Sequence, residues 1–364
     1  MLLAAYRVMK NELLLNLVRP LSSVLTILVP INFLILFVLF AIGGAKVPVG
    51  LVAGQTGAYG SQLTSAIEHS ITYRAQTINS PVSGTALIQA HHTVATIQIP
   101  HSFTSQLSTN NHASVHLTIN NLNSDFANDI RRGMPLVLYQ FDAANFPGKI
   151  PVTYREVDTY PKTVTFLSFL SVSIQTVALL IGGLLFGGRG TAREWEKGTI
   201  KELMLAPISP WSVVMGKLAA GMVSGMVSAM LVFIVLLFFG VRPVAWGELT
   251  GVFLVTLFVF VSLGVAIGSL VKSQFIVIPL SFALGLPLFF LSGAFGPIAW
   301  STPVAADIAS VFPVLYANVI FQHAIEGYWT MSLPPAIIWG ILLIWAAAAL
   351  VISSIAYRRA VISH

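Results

Sequence analysis

A dense run of charged residues, Arg193-Glu-Trp-Glu-Lys-Gly-Thr-Ile-Lys-Glu202, stands between two apolar stretches, 163–188 and 213–239, each long enough to cross a membrane. Charged residues make up only 9% of the chain, so the run marks water. Polar backbone between two spans must lie at a membrane face, because hydrocarbon offers it no hydrogen-bond partner. Its punctuation predicts a particular shape. Thr191-x-x-Glu194 and Thr199-x-x-Glu202 both fit a capping box, a hydroxyl serving orphan N–H groups while a Glu reaches back. Gly198 divides the segment, and Pro207 stops it because the residue before proline is pushed out of the α region. Between them, Thr199 to Leu205 is expected to be a short separate helix with Ile200, Leu203 and Met204 on one side. Ser209 and Pro210 read as the N-cap and first position of the next helix. A short helix clamped between two spans is suited to receiving a mechanical push.

The fold class follows from the remaining apolar runs. Of 364 residues, 56% are hydrophobic. Six segments can each cover about 30 Å of hydrocarbon: 21–44, 163–188, 213–239, 247–271, 275–296 and 333–356. The expectation is a polytopic α-helical membrane protein with six transmembrane helices and a mixed α/β extracytoplasmic domain between helices 1 and 2. With the N-terminus inside, the short inner segments hold Arg7, Lys10, Arg19, Arg189, Arg193, Lys197, Lys201, Lys272, Arg358 and Arg359. The short outer loop 240–246 holds only Arg242, and the re-entrant-looking segment 293–332 has no Lys or Arg. That is the positive-inside bias, and it sets both termini in the cytoplasm. The run from Leu21 is about twice the length of a signal-peptide core, so it is read as a retained span. Residues 1–20 read as an interfacial helix, with Leu2, Tyr6, Met9, Leu13 and Leu17 on its apolar stripe, a helix buried against the other spans being the other reading. The net charge of +6 is split between two membrane faces. It therefore points to anionic membrane lipids rather than nucleic acid. There is no cysteine, which excludes disulfides and thiol chemistry.

Residues 45–162 are long enough for a core of their own. Strands are expected at Val47–Ala53, Val94–Pro100 and Ser114–Asn120, where apolar and polar residues alternate or run together. Helices are expected at Tyr59–His69, Phe103–Leu107 and Asp125–Phe141. Six of the eight histidines lie here. His112-x-x-x-His116 enters a strand, where four residues span about 13 Å, too far for one zinc. His91 and His92 would point apart on a helix, and no acid completes a set. No metal site is expected. A phosphate loop, a G-x-S-x-G elbow and an H-E-x-x-H pair are all missing from the sequence. The expected spans carry no acid but Glu248, and buried ionisable relays are what ion-coupled carriers use. Energy for any transport would therefore enter from outside the chain.

Three stretches carry a family resemblance. Arg193-Glu-Trp-Glu-Lys-Gly-Thr continuing through Pro207, Ser209-Pro210 and Gly216-Lys217 is similar to the charged loop and coupling helix of the permease subunits of type-2 ABC exporters. Leu291-Ser-Gly-Ala-Phe-Gly-Pro297 followed by Phe312-Pro-Val-Leu-Tyr316 is similar to that family's fifth span and returning helical hairpin. Val47–Ala53 and Ile97–Phe103 resemble strands of its large outer domain. The resemblance covers nearly the whole chain. It implies a permease without its own ATP site, which pairs with a second permease chain and with ABC ATPase subunits that hold ATP and magnesium. It would sit among membrane lipids in a bacterial inner membrane, with a periplasmic adaptor as an optional further partner. The efflux substrate would be a drug, a lipid-like molecule or another amphiphile. It also implies that Arg193, Glu194, Glu196, Lys197, Gly198, Thr199, Glu202, Leu203, Pro207, Ser209 and Pro210 form the ATPase-coupling surface. The candidate path lining is polar and small: Asn32, Ser168, Ser171, Gln175, Ser281 and Ser292, with ordinary interhelical hydrogen bonding as the other reading of each. Gly221-x-x-x-Gly225 is a packing motif. Two rival functions stand beside this one: a membrane receptor or sensor, and a cell-envelope secretion component sharing the permease fold.

Overall fold

The computed structural model describes residues 2–18, 24–32, 46–53, 56–78, 86–88, 93–110, 112–121, 124–159, 166–238, 240–294, 298 and 302–362, with the side chains of 110, 124, 125 and 166–170 outside that description. Along the chain come α1 (Leu2–Val18), α2 (24–32), β1 (Val47–Ala53), α3 (Gly57–Glu68), β2 (Tyr73–Thr77), β3 (Ala95–Ile99), α4 (Phe103–Asn110), β4 (Ala113–Ile119), α5 (Ser124–Asn145) and β5 (Val152–Asp158). There follow α6 (Phe166–Glu196), α7 (Ile200–Leu205), α8 (Pro210–Phe238), α9 (Trp246–Val271), α10 (Gln274–Leu291), α11 (Pro303–Val311), α12 (Pro313–Glu326) and α13 (Pro335–Ile362). The chain divides into two compact units, one of Met1–Phe37, Leu167–Ile298 and Pro303–His364, the other of Val38–Phe166 and Ala299–Thr302.

The smaller unit is a five-stranded mixed sheet in the order β2-β1-β3-β4-β5. β1 pairs in parallel with β2 and β3, β3 is antiparallel to β4, and β4 is parallel to β5. The central strands β1 and β3 bury both faces and read as near-continuous apolar runs. β4 alternates buried and more exposed positions. Helix α5 lays Ile130, Met134, Val137 and Phe141 into the same core as Leu63, Ile67, Phe103 and Leu107. The Tyr73 hydroxyl, buried against α5, donates to the Ile130 carbonyl at 2.9 Å. The strands β2 and β5 escape the sequence reading. Both are edge strands that bury little beyond their first residue, and β5 carries Arg155, Glu156 and Asp158 in place of an apolar alternation. His91 and His92 lie outside the described residues.

Among the described residues of the larger unit, five helices are long and apolar enough to cross a membrane: Ser171–Glu196 within α6, and α8, α9, α10 and α13. They coincide with five of the six expected spans. The sixth, 21–44, is described only at 24–32. The segment expected to re-enter contains α11 and α12, bent by 90° at a short break. Phe312 is extended there (φ −94°, ψ 143°) and Pro313 opens α12, so the pre-proline restriction makes the corner. Helix α6 is the centre of the bundle and is buried along its span. It crosses α9 at backbone contact: a Cβ on Gly187 would lie 2.2 Å from the Val261 carbonyl oxygen, and one on Gly268 would lie 2.2 Å from that of Gly188. Gly221 and Gly225 seat α8 on the side chains of Val261 and Leu257 of α9.

Helix α1 exposes part of the expected apolar stripe and packs on α8 by other residues. Leu2, Tyr6 and Leu17 are exposed, whereas Ala5 and Val8 meet Gly216 of α8. Asn16 donates to Ser224 at 3.1 Å, and Glu12 is buried. The side that meets α8 carries Ala5, Val8, Glu12 and Asn16, whereas Arg7, Lys10 and Asn11 are exposed along with Leu2, Tyr6 and Leu17.

Candidate functional site

The charged segment folds in three steps. Helix α6 ends at Glu196, and the turn 197–199 passes through Gly198 at φ +74°. A Cβ there would touch nothing within 4 Å, so the left-handed backbone alone demands glycine. Helix α7 follows, and Ala206 is then extended ahead of Pro207. Ile200 is the buried anchor of α7, whereas Lys201, Glu202 and Met204 are exposed and Leu205 is 86% exposed. Leu203 is half-buried. The short helix therefore presents an unusually bare apolar tip. Ser209 and Pro210 occupy the expected cap and first position of α8: the Ser209 hydroxyl accepts from the Ser212 N–H at 3.2 Å.

Neither expected capping box forms. Thr191 lies inside α6 and donates to the Gly187 carbonyl at 2.9 Å. Thr199 has helical dihedrals and makes no side-chain cap, its hydroxyl pointing back to the Glu194 carbonyl at 3.5 Å. Glu202 therefore caps nothing and is a surface charge.

Beneath the segment lies a cluster of four charged side chains: Glu12 from α1, Arg193 and Glu194 from α6, and Lys217 from α8. The Lys217 side chain is only 2% exposed. Its ammonium donates to Glu194 Oε1 at 2.7 Å, Glu12 Oε1 at 3.2 Å and the Gly190 carbonyl at 3.3 Å, which uses all three of its protons. The Arg193 guanidinium donates to the other oxygen of Glu12. Two carboxylates thus face two cations. Such neutrality is required, because each buried ion would otherwise keep a desolvation cost of several kcal/mol. A second set of contacts holds the turn. Glu196 Oε2 accepts from the Gln274 N–H at 2.7 Å, and the Lys272 ammonium lies 4.2 Å from the Trp195 ring centroid. α7 is therefore tied through its base to α1, α8 and the α9–α10 turn.

Helix α9 also carries a polar cluster at its other end. Glu248 meets His323 Nδ1 at 2.5 Å, and His323 stacks on Trp329 at 4.2 Å. From Glu248 to Lys272 is about 36 Å at 1.5 Å per residue. The two polar clusters are thus separated by a little more than the thickness of hydrocarbon, about 30 Å.

The six expected path residues are scattered. Asn32 is exposed, and Ser171 and Gln175 are buried on α6. Gln175 donates to the Ala229 carbonyl at 3.4 Å. Ser281 and Ser292 are buried and bond the carbonyls of Val277 and Phe289 in their own helix. The Ser168 side chain lies outside the described residues. Among the described residues no group of three or more His, Asp and Glu could hold a metal. The residues missed by the sequence reading are Glu12 and Lys217. Each carried a signal: Glu12 is the sole acid before Glu68, and Lys217 the sole charge between Glu202 and Arg242.

A family model described as "ABC-2 family transporter protein" matches residues 21–355. The proteins named "Probable multidrug ABC transporter permease YbhR" in Escherichia coli strain K12 and in Escherichia coli O157:H7 are each 22% identical over 228 residues. That alignment covers 61% of this chain, and the chain spans 61% of the length of each relative.

Proposed function

Because the chain belongs to the ABC-2 family of transporter proteins, we propose that it is the permease subunit of an exporter driven by separate ATPase subunits. The observation that carries this reading is α7: a short helix with an exposed apolar tip, clamped between two membrane-crossing helices and rooted in a buried ion cluster. A push on Leu205 and Met204 would be delivered to α6 and α8 together, and through Glu12 to α1. Arg193, Glu194 and Lys217 act here as the rigid base, and Lys201, Glu202, Leu203 and Pro207 as the contact surface. ATP and magnesium reside on the ATPase, consistent with a sequence that lacks a phosphate-cradling loop. Two permease chains related by a twofold axis give two copies of α7 for two ATPases. α7 and both termini face the cytoplasm of a bacterial inner membrane and the sheet unit faces the other side, a reading supported by the short-segment charge bias and by the spacing of the polar clusters on α9. The substrate is a drug, a lipid-like molecule or another amphiphile moved outward; of these, the word multidrug in the name of the 22% identical relatives supports the first.

The test is recovery of the ATPase on the tagged permease. Leu205→Asp places a charge on the apolar tip without touching the ion cluster. It is expected to lower ATPase recovery at least tenfold, with normal membrane insertion and an unchanged elution profile for the permease. Full ATPase recovery together with undiminished substrate-stimulated ATP turnover would remove α7 from the mechanism. ATP turnover by the permease alone would overturn the assignment itself.

A further inference from the structure

A cavity of about 390 Å³ opens between the start of α8 and the last turns of α13, a volume within the range of small-molecule sites, ~300–1,000 Å³. Pro210, Trp211 and Val214 form one wall and Val351, Ile355 and Arg358 the other. The two serines of the lining are spent on Ser212 and on the Leu350 carbonyl. Arg358 is exposed and makes no ion pair with any described residue. No acid lines the cavity. Both walls belong to membrane-crossing helices and both stand at a polar end: α8 begins just after the charged segment, and Arg358 and Arg359 lie near the end of α13. Trp211, Val351 and Ile355 are each about half exposed, and the apolar surface continues to Met215 and Ile352. In a membrane-crossing helix, acyl chains cover such a surface.

We propose that this cavity binds an anionic phospholipid of the adjoining leaflet, with the phosphate on the Arg358 guanidinium and one acyl chain in the slot beside Trp211. The forked guanidinium suits phosphate oxygens, and an indole at a membrane boundary packs its ring along the chain. A zwitterionic headgroup gains less, because nothing in the lining accepts its cation. The proposal requires only that the chain is embedded in a membrane, so it stands or falls separately from α7.

The experiment is native mass spectrometry of the purified full chain with phosphatidylglycerol or phosphatidylcholine of identical acyl chains. One cation near the surface should favour the anionic lipid about fivefold. Arg358→Gln should abolish that preference. Ile355→Trp, which fills the slot, should lower occupancy by both lipids, and adding Arg358→Gln to it should change nothing further. In nanodiscs, the single thiol of Ile355→Cys should react more slowly in phosphatidylglycerol than in phosphatidylcholine. Equal binding of the two lipids by the parent chain would overturn the proposal. So would an undiminished effect of Arg358→Gln in the Ile355→Trp background, the mark of diffuse attraction. Crosslinking of the Ile355→Cys thiol to the ATPase or to a second copy, with no protection by lipid, would assign the cavity to a protein contact instead.

Discussion

Lys217→Met should release α1 from the bundle. In the parent structure the cluster sums to zero, with Glu12 and Glu194 against Arg193 and Lys217. Removing the lysine leaves two buried carboxylates beside one guanidinium, and Lys217 supplies contacts to both acids. Breaking a buried ion pair from one side costs about 3–5 kcal/mol. At 1.4 kcal/mol per tenfold, that raises the undocked fraction of α1 by about a hundred- to several-thousand-fold. Glu12→Gln should cost less, because Lys217 keeps its 2.7 Å contact with Glu194. Glu12→Gln with Lys217→Met restores neutrality and should recover most of the loss. The probe is Val8→Cys in this cysteine-free chain, a position packed against Gly216. Its thiol labelling rate in folded, monodisperse protein reports the open fraction. Labelling of Lys217→Met at the parent rate would refute the reasoning. A double variant that labels as fast as Lys217→Met would show that packing, not charge balance, holds the helix.

An impermeant thiol reagent applied to intact cells should label His116→Cys, exposed on β4, and not Thr199→Cys, exposed in the charged turn; labelling of position 199 alone would invert the orientation. Gly187→Ala should destabilise the bundle by about 1–3 kcal/mol or more, since its Cβ meets backbone. Gly225→Ala meets the Leu257 side chain rather than backbone and should lower the melting temperature less; equal shifts would dissolve the distinction. Asp142 on α5 is buried, and burial holds its carboxyl above its ordinary value of 3.8, with the Val152 N–H acting against the shift. The folded sheet unit then keeps this proton to higher pH than the unfolded chain. The contribution of Asp142 to stability therefore falls as pH rises from about 3.8 through the folded value. Hydrogen exchange of the full chain, corrected for its intrinsic pH dependence, should show that slope around α5, and Asp142→Asn should flatten it.

The long helices were legible because an apolar run of about twenty residues has few alternatives. β1, β3 and β4 were legible because burial writes apolar residues into them. β2 was not: Tyr73 is its one buried side chain, and its place comes from backbone pairing with β1, which leaves little mark on composition. The apolar stripe of α1 was legible, and Leu2, Tyr6 and Leu17 on it are exposed; the contacts that Ala5, Val8, Glu12 and Asn16 make with α8 were not, because their partners lie about two hundred residues away. Thr199 fitted a capping box by type and spacing but sits in helical dihedrals, which carry its hydroxyl away from the N–H groups it would serve. Ser209 has proline after it, and its cap is real. The ion cluster was beyond sequence reading because its links span 181 and 205 residues, and no local rule pairs charges over such distances.

The 205 residues between Glu12 and Lys217 also set an order of assembly. At roughly 5–20 residues per second, synthesis takes about 10 to 40 s to pass from one to the other. Until Arg193 follows, 181 residues on, α1 has no cation of the cluster to meet, and Lys217 comes later still. The Glu12 carboxylate keeps its hydration while Leu2, Tyr6 and Leu17 rest on the membrane surface. Docking becomes favourable only when α6 and α8 have both inserted with their charged ends on the side where α1 waits. A chain threaded the wrong way would carry Arg193 and Lys217 to the far face and leave α1 undocked, its terminus open to proteases. The shared carboxylate would thus act as a proofreader of topology, admitting α1 only beside correctly oriented α6 and α8.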